Sequence, residues 1–372
     1  MKCFIYADNA ATTKLDMDAF DAMKPYLLDE YGNASQHYSF ARSAKKALKE
    51  ARKTIAECIC ASPEEIYFTS GGTESDNWAI KGSAFADERK RATITSQIEH
   101  HAVLNACAAI ERLGYPVAYL PVDNTGTVAI ESLNSFITDR TRLVSVMFSN
   151  NEVGSIQPIQ DLCSVAHKHG ALFHTDAVQS VGHININVNE LGVDMLSSSA
   201  HKFYGPKGIG FLFVRKGTKI SAFNDGGAQE FGMRAGTENV ASIVGMAVAL
   251  KKSCHEMSKV CSQLVKQEKL LLEGLNGIRY QRNGAANRVP GNISLSFPGF
   301  DGEAILHRMD LCGISISTGS ACDSVNTQIS HVLKAIDLDE VYAKGTIRIS
   351  LGKNNTDEDV VEIAKALRSI IK

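Results

Sequence analysis

Three features of the sequence predict an α/β architecture, in which a mostly parallel sheet lies between helices and a smaller α+β domain follows. Short apolar runs of strand length alternate with longer segments of helical spacing as far as Lys251. The carboxyl ends of those runs carry glycine, hydroxyl and charged residues, as strand ends that face a ligand crevice do. Beyond Lys251 the pattern changes to one long helical segment and a second, shorter set of strands and helices. A chain of 372 residues is too long for one small core. The expected division is a large domain over 14–252 and a small domain formed by 1–13 and 253–372.

The first helices are expected over 18–28 and 39–58, and between them the polar loop YGNASQH carries Asn33 and His37. Residues 65–69 (EIYFT) read as a strand that runs into Ser70-Gly71-Gly72-Thr73-Glu74 and then a helix. Two glycines allow a tight turn, the helix amino end adds partial positive charge, and Thr73 adds a hydroxyl, so Gly72 and Thr73 suit an anion. Turn chemistry alone also explains the glycines. A strand over 92–95 leads to Gln97-Ile98-Glu99-His100-His101 and a helix over 102–113. One of these histidines can lie flat against a ring; ordinary loop hydrogen bonding is the alternative.

Residues 142–148 (RLVSVMF) give a strand ending at Asn150 and Asn151, and 171–175 (ALFHT) one ending at Asp176 to Gln179. A short run over 193–196 precedes SSSAHKFYGPKGIG, which sets Lys202 beside Ser199 and His201 at the next strand end. A lysine there can form a Schiff base, and the hydroxyl and imidazole beside it can hold an anionic group. Residues 208–214 (GIGFLFV) give a further strand. Five strand ends bearing Thr73, His100, Asn151, Asp176 with Gln179, and Lys202 form a constellation. A carboxylate such as Asp176 would keep a pyridine nitrogen protonated, which is the electron-sink arrangement of pyridoxal phosphate chemistry.

From Gly226 a glycine-rich loop precedes a helix starting near Asn239, and its Thr237 is either a second phosphate ligand or a helix cap. A long helix over 255–275 opens the small domain, with strands over 292–297, 314–317 and 346–350 and helices over 303–310 and 357–371. Small and polar residues dominate STGSACDS, so Cys322 is expected on an exposed, mobile loop at about 315–330, either as a reactive thiol or as an incidental surface cysteine. Arg348, within the strand TIRIS, needs an anionic partner, either a substrate carboxylate or one of the protein's own.

A hydrophobic content of 44% with 22% charged residues is that of a globular protein. The net charge of -2 offers no basic excess for a phosphate backbone, so direct nucleic-acid binding is not expected. The opening MKCFIYADNAATT has too short an apolar run for a signal peptide or a membrane span, and a cytoplasmic protein without membrane contact is the expectation. Nine cysteines with no CxxC pair read as reduced thiols, with no metal site.

Taken together, YADNAATT, GNASQH, FTSGGTESDNWAIKG, SQIEHHAVL, SNNEVGSIQPI, HTDAVQS, SSSAHKFYGPKG and above all STGSACDS resemble the cysteine desulfurases of the NifS/IscS type, nearly from end to end. The resemblance implies a fold-type I pyridoxal 5'-phosphate enzyme that is a homodimer, takes L-cysteine, and passes its sulfur to an acceptor protein, either a scaffold or a sulfur carrier. It implies that Lys202 is the Schiff-base lysine, that His100 stacks on the ring and serves in catalysis, and that Asp176 and Gln179 pair with the ring nitrogen and ring oxygen. Thr73, Ser199 and His201 would hold the phosphate, with Thr237 supplied by the neighbouring subunit. Asn33, Asn151 and Arg348 would fix the substrate carboxylate, and Cys322 would be the nucleophile that carries the persulfide.

The sequence departs from the family at two points. Asp323 follows the cysteine where a small or hydroxyl residue is more usual, and its charge should raise the thiol pKa and slow attack. The sequence also stops at Lys372, without the longer tail by which relatives engage an iron-sulfur scaffold, so tRNA or cofactor thiolation is as open as iron-sulfur assembly. The rivals are a class V aminotransferase or a selenocysteine lyase of the same fold, and a non-catalytic platform in a sulfur-transfer complex.

Overall fold

The computed structural model describes residues 4–87, 91–318 and 329–371. Its amino-terminal half alternates β1 (Ile5–Tyr6), α1 (Met17–Leu28), α2 (Arg42–Cys58), β2 (Ile66–Thr69), α3 (Gly72–Phe85), β3 (Ala92–Ser96), α4 (His101–Arg112), β4 (Val117–Leu120), α5 (Ile130–Phe136) and β5 (Thr141–Ser145). It continues through α6 (Ile159–Lys168), β6 (Leu172–Asp176), α7 (Val188–Leu191), β7 (Met195–Ser199) and β8 (Gly210–Val214) into α8 (Val240–Gly274). The remainder holds β9 (Gln281–Arg282), β10 (Asn292–Ser296), α9 (Gly302–Leu311), β11 (Ile314–Ser315), α10 (His331–Ala335), α11 (Glu340–Ala343), β12 (Thr346–Ser350) and α12 (Asp357–Ile371).

Seven strands form the main sheet in the order β2-β8-β7-β6-β5-β3-β4. The pairs from β7 to β4 are parallel, whereas β8 runs antiparallel to both β7 and β2. Every residue of β5, β7 and β8 is buried, because helices cover both faces and leave no polar face to alternate. The helices supply matching apolar stripes: on α2, Ala44, Leu48, Ala51 and Ile55 recur at helical spacing and are buried. A second sheet, β12-β10-β9, backs a separate apolar cluster built on Leu295, Phe297, Ile347 and Leu367.

Element boundaries move slightly from those read in the sequence. The segment expected as one helix over 39–58 starts with a single 3₁₀ turn at Ser39–Ala41. The run expected as a strand over 142–148 leaves the ladder at Ser145, although Val146 and Phe148 still donate to the carbonyls of His174 and Asp176. The edge strand β4 and the helices α5 and α6 were not anticipated; β4 is half-exposed and so lacks the continuous apolar run of its neighbours. The segments near Asn239 and over 255–275 are one helix of 35 residues.

The amino-terminal arm ties the two sheets together. β1 pairs with β11, Asp8 bridges to Ser350 at the end of β12, and Thr13 then donates to the carbonyl of His201 just past β7. Residues 8–13 therefore cross the ends of the main-sheet strands, where the polar groups gather.

Candidate active site

Parallel strands that all end on one side bring their last residues to a common crevice. A cavity of about 610 Å³ opens there. The turn after β2 lines it with Gly72 and Thr73, and the turn after β3 with His100. Asn151, Asp176 and Gln179 follow from the ends of β5 and β6, and Ser199, His201 and Lys202 from the end of β7. Nine of the thirteen candidate positions thus share one cavity.

Lys202 donates from Nζ to the carbonyls of Ala10 and Ala11, 2.5 and 2.8 Å away. Gln179 Nε2 donates to the same Ala10 carbonyl at 3.0 Å, and Thr12 Oγ1 lies 3.1 Å from His201 Nδ1. The arm thus lines the cavity through Ala11 and Thr12 and fixes three of its side chains. Sequence reasoning assigned no role to these arm residues; their only signal was membership of the YADNAATT motif.

His100 caps α4, its Nδ1 accepting the Ala102 N–H at 3.1 Å. Burial, with Lys202, His101 and His331 adding to it and Asp176 opposing it, pushes the imidazole below its ordinary pKa. The neutral ring must therefore carry its proton on Nε2. Asp176 accepts the Val178 N–H on Oδ1 at 2.9 Å, and burial raises its pKa against the pull of His100 and Lys202. His201 is pushed down to about 4, first by burial and then by Lys202.

Beneath Asp176 lies a buried polar floor that the sequence did not announce. His174, two residues earlier on β6 and so on the same face, accepts or donates at both ring nitrogens, to Ser145 Oγ at 2.8 Å and Ser197 Oγ at 2.9 Å. Asp76 of α3 lines the cavity beside them. Glu99 is fully buried, takes the Ser96 hydroxyl at 2.5 Å and the Met147 N–H at 2.9 Å, and is pushed up to about 8 by burial.

Three candidate positions lie elsewhere, and the fourth, Cys322, is not among the described residues. Asn33 accepts the Ser35 N–H at 2.9 Å within its loop and does not line the cavity. Thr237 lines a different cavity of about 200 Å³ with Arg234 and Glu238, and the cap of α8 is Asn239. Arg348 is buried in β12 and meets a protein carboxylate, Asp8 Oδ1, at 2.7 Å. Its Nη1 donates to the carbonyl of the cavity residue Asn151 at 2.9 Å. Cys322 and its neighbour Asp323, with most of the loop expected at 315–330, lie outside the described residues.

The model of the aminotransferase class-V family matches residues 5–363. The cysteine desulfurase IscS of Dictyoglomus turgidum is 48% identical over 100% of this chain and 95% of its own length. The chain belongs to the cysteine desulfurases of the class-V aminotransferase family. Among solved structures, a NifS-like protein superposes with a TM-score of 0.94 at 38% identity, covering 99% of both chains. SspA in complex with cysteine gives 0.85 at 38% identity, over 95% of this chain and 100% of that one. The mostly parallel sheet, with its antiparallel β8, is accordingly that of a fold-type I pyridoxal phosphate enzyme.

The cavity of this class-V desulfurase fits the family cofactor. At one end the first turn of α3, with Thr73, Ser199 and His201, offers the amide, hydroxyl and imidazole donors that a phosphate needs. The turn has room only for glycine: a Cβ on Gly72 would stand 2.6 Å from Val178 Cγ2, and Gly71 adopts φ +149°. In the same cavity Asp176 supplies the carboxylate for a protonated pyridine, and Lys202 supplies an amine.

Proposed function

We propose that the protein converts L-cysteine to L-alanine and passes the sulfur to Cys322, which hands it as a persulfide to an acceptor protein. The observation that carries this reading is the convergence of Lys202, Asp176, His100 and the Thr73–Ser199–His201 cradle on one cavity in a chain of the desulfurase family. The solved relative in complex with cysteine supports that amino acid as substrate.

When bound, pyridoxal phosphate supplies the electron sink that lets a proton leave the α-carbon of the amino acid. Lys202 would hold the cofactor through Nζ and, as a free amine, would be the base that takes this proton; without the cofactor its Nζ donates to the Ala10 and Ala11 carbonyls at the cavity wall. Asp176, its Oδ1 fixed by Val178, keeps its second oxygen for the ring nitrogen. Gln179 would pair with the ring oxygen, Asn151 would serve cofactor and substrate carboxylate, and His100 would stack on the ring and offer a neutral Nε2–H to groups that gain electron density. Thr73, Ser199 and His201 would hold the phosphate. Asn33 and Arg348 would complete the grip on the substrate carboxylate: Arg348 reaches the cavity through Asn151, and its Nε has no partner among the described residues, whereas Asn33 lies outside the cavity of its own chain. The Cys322 thiolate would attack the substrate sulfur; the carbon–sulfur bond breaks, its electron pair stays with the β-carbon, which takes a proton, and the α-carbon regains the proton held by Lys202 to complete alanine.

The working unit is a homodimer in which Thr237 of one subunit reaches the phosphate of the other. Two observations support this: Thr237 lies outside the cavity of its own subunit, and Phe20, Leu27, Leu28, Tyr31, Tyr38 and Phe40 expose an apolar surface on α1 and the loop after it. The large and small domains divide at 252/253, within α8. Reduced cysteines suit a cytoplasmic location, and no described helix is long and apolar enough to cross a membrane.

The test supplies L-cysteine and a thiol reductant to the cofactor-loaded protein and quantifies alanine and sulfide. Equal amounts are expected from the intact chain. Cys322→Ala should keep the visible cofactor band and lose both products by at least about a hundredfold. Undiminished products from the variant would overturn the persulfide mechanism, and an oxo acid in place of alanine would assign the site to transamination.

A further inference from the structure

The floor of the cavity holds a second carboxyl group that the mechanism above does not use. Asp76 is 1% exposed on α3, one turn beyond Thr73, and lines the same cavity as Asp176. Its Oδ1 has no hydrogen-bond partner among the described residues. The basic group within ion-pairing reach is His174, whose Nε2 stands 3.7 Å from that oxygen. That imidazole is engaged at both nitrogens by the hydroxyls of Ser145 and Ser197 and stands too far from Asp76 for a hydrogen bond. Burial, which pushes His174 down to about 3, disfavours the cation that could answer a negative charge.

The other charged groups around Asp76 make ionisation worse. Asp176 follows His174 on β6 and Glu99 precedes α4, so both neighbours are acids. The nitrogen bases on this side, Lys202 and His100, act on Asp176. A buried carboxylate with no cation partner and a like charge beside it takes up a proton.

We propose that Asp76 is a positioning residue held as a neutral carboxylic acid, which leaves Asp176 as the single anion of the cavity floor facing the cofactor's ring nitrogen. Two anions there would repel each other and divide the pull on the ring proton. A neutral acid in the second place lets Asp176 alone set that proton affinity while its own O–H bonds within the floor. The inference rests on the reading that this cavity holds pyridoxal phosphate.

Difference infrared spectroscopy on the cofactor-loaded chain, with carbon-13 in its aspartate carboxyls, tests the protonation directly. At neutral pH the intact protein should show the carbonyl stretch of a protonated aspartic acid. Asp76→Asn should remove that band and Asp176→Asn should leave it, so either variant alone assigns it. Asp76→Asn, an isostere of the neutral acid, should change pyridoxal phosphate affinity by less than about threefold. It should also leave the pH midpoint of the visible cofactor band where it is in the intact chain. No protonated-aspartate band in the intact chain, a band that survives Asp76→Asn, or a large shift of the visible midpoint in that variant would each overturn the assignment. If added pyridoxal phosphate gives no visible band at all, the cofactor reading fails, and the infrared band of the cofactor-free chain then judges Asp76 by itself.

Discussion

Lys202, His100, Asp176 and Gln179 could be picked out of the sequence because each follows a strand and sits among small or polar residues that make a poor core. Glu99 and Asp76 could not, since an acid in a loop or on a helix looks the same whether it faces solvent or a sealed floor. Arg348 shows the same limit: the strand demanded an anion, and whether Asp8 or a substrate would supply it depended on where the arm crosses. Glu99 yields a prediction at this scale. Burial raises its pKa from 4.5 to about 8, so the folded chain keeps a proton that the unfolded chain has released between those values. Its contribution is full below the ordinary carboxylate range and is lost as pH rises through about 8. Urea midpoints of the cofactor-free chain should therefore fall with rising pH across this window more steeply than those of Glu99→Gln. Parallel curves would show that Glu99 is ionised in the folded chain.

At the scale of elements, the sheet places the site through close backbone approaches as much as through side chains. Gly210 begins β8 where it packs against β7 and the Gly71 turn; a Cβ there would stand 2.3 Å from the Ser198 carbonyl and 2.7 Å from Gly71 Cα. Both contacts are backbone, so no side chain can swing aside. Gly210→Ala should cost about 1–3 kcal/mol of stability and weaken pyridoxal phosphate binding as well, because the displaced turn carries Thr73. A stability loss measured by urea unfolding with unchanged cofactor affinity would mean that the cradle is independent of β8. Most strands and most helices were legible as apolar runs and helical stripes. The continuity of α8 was not, because its composition changes near Lys251 while its hydrogen bonding does not.

For the whole molecule, the sequence motifs anticipated one cavity from segments far apart in the chain, and the sheet order explains why they meet. What motifs could not anticipate is the arm: residues 8–13 leave the small sheet, cross the strand ends and supply the carbonyls that hold Lys202. If the apolar surface of α1 is a subunit contact, light scattering should give twice the chain mass, and Leu28→Glu with Tyr31→Glu should shift it toward the monomer and weaken cofactor retention. An intact chain that scatters as a monomer while fully active would remove the partner's role. The central claim is that sulfur leaves L-cysteine for Cys322. Its most direct test is the mass of the cofactor-loaded protein after one turnover with L-cysteine and no reductant. The account predicts a gain of one sulfur atom, located on the peptide containing Cys322 and matched by one alanine released; alanine formed with no added mass on that peptide would contradict it.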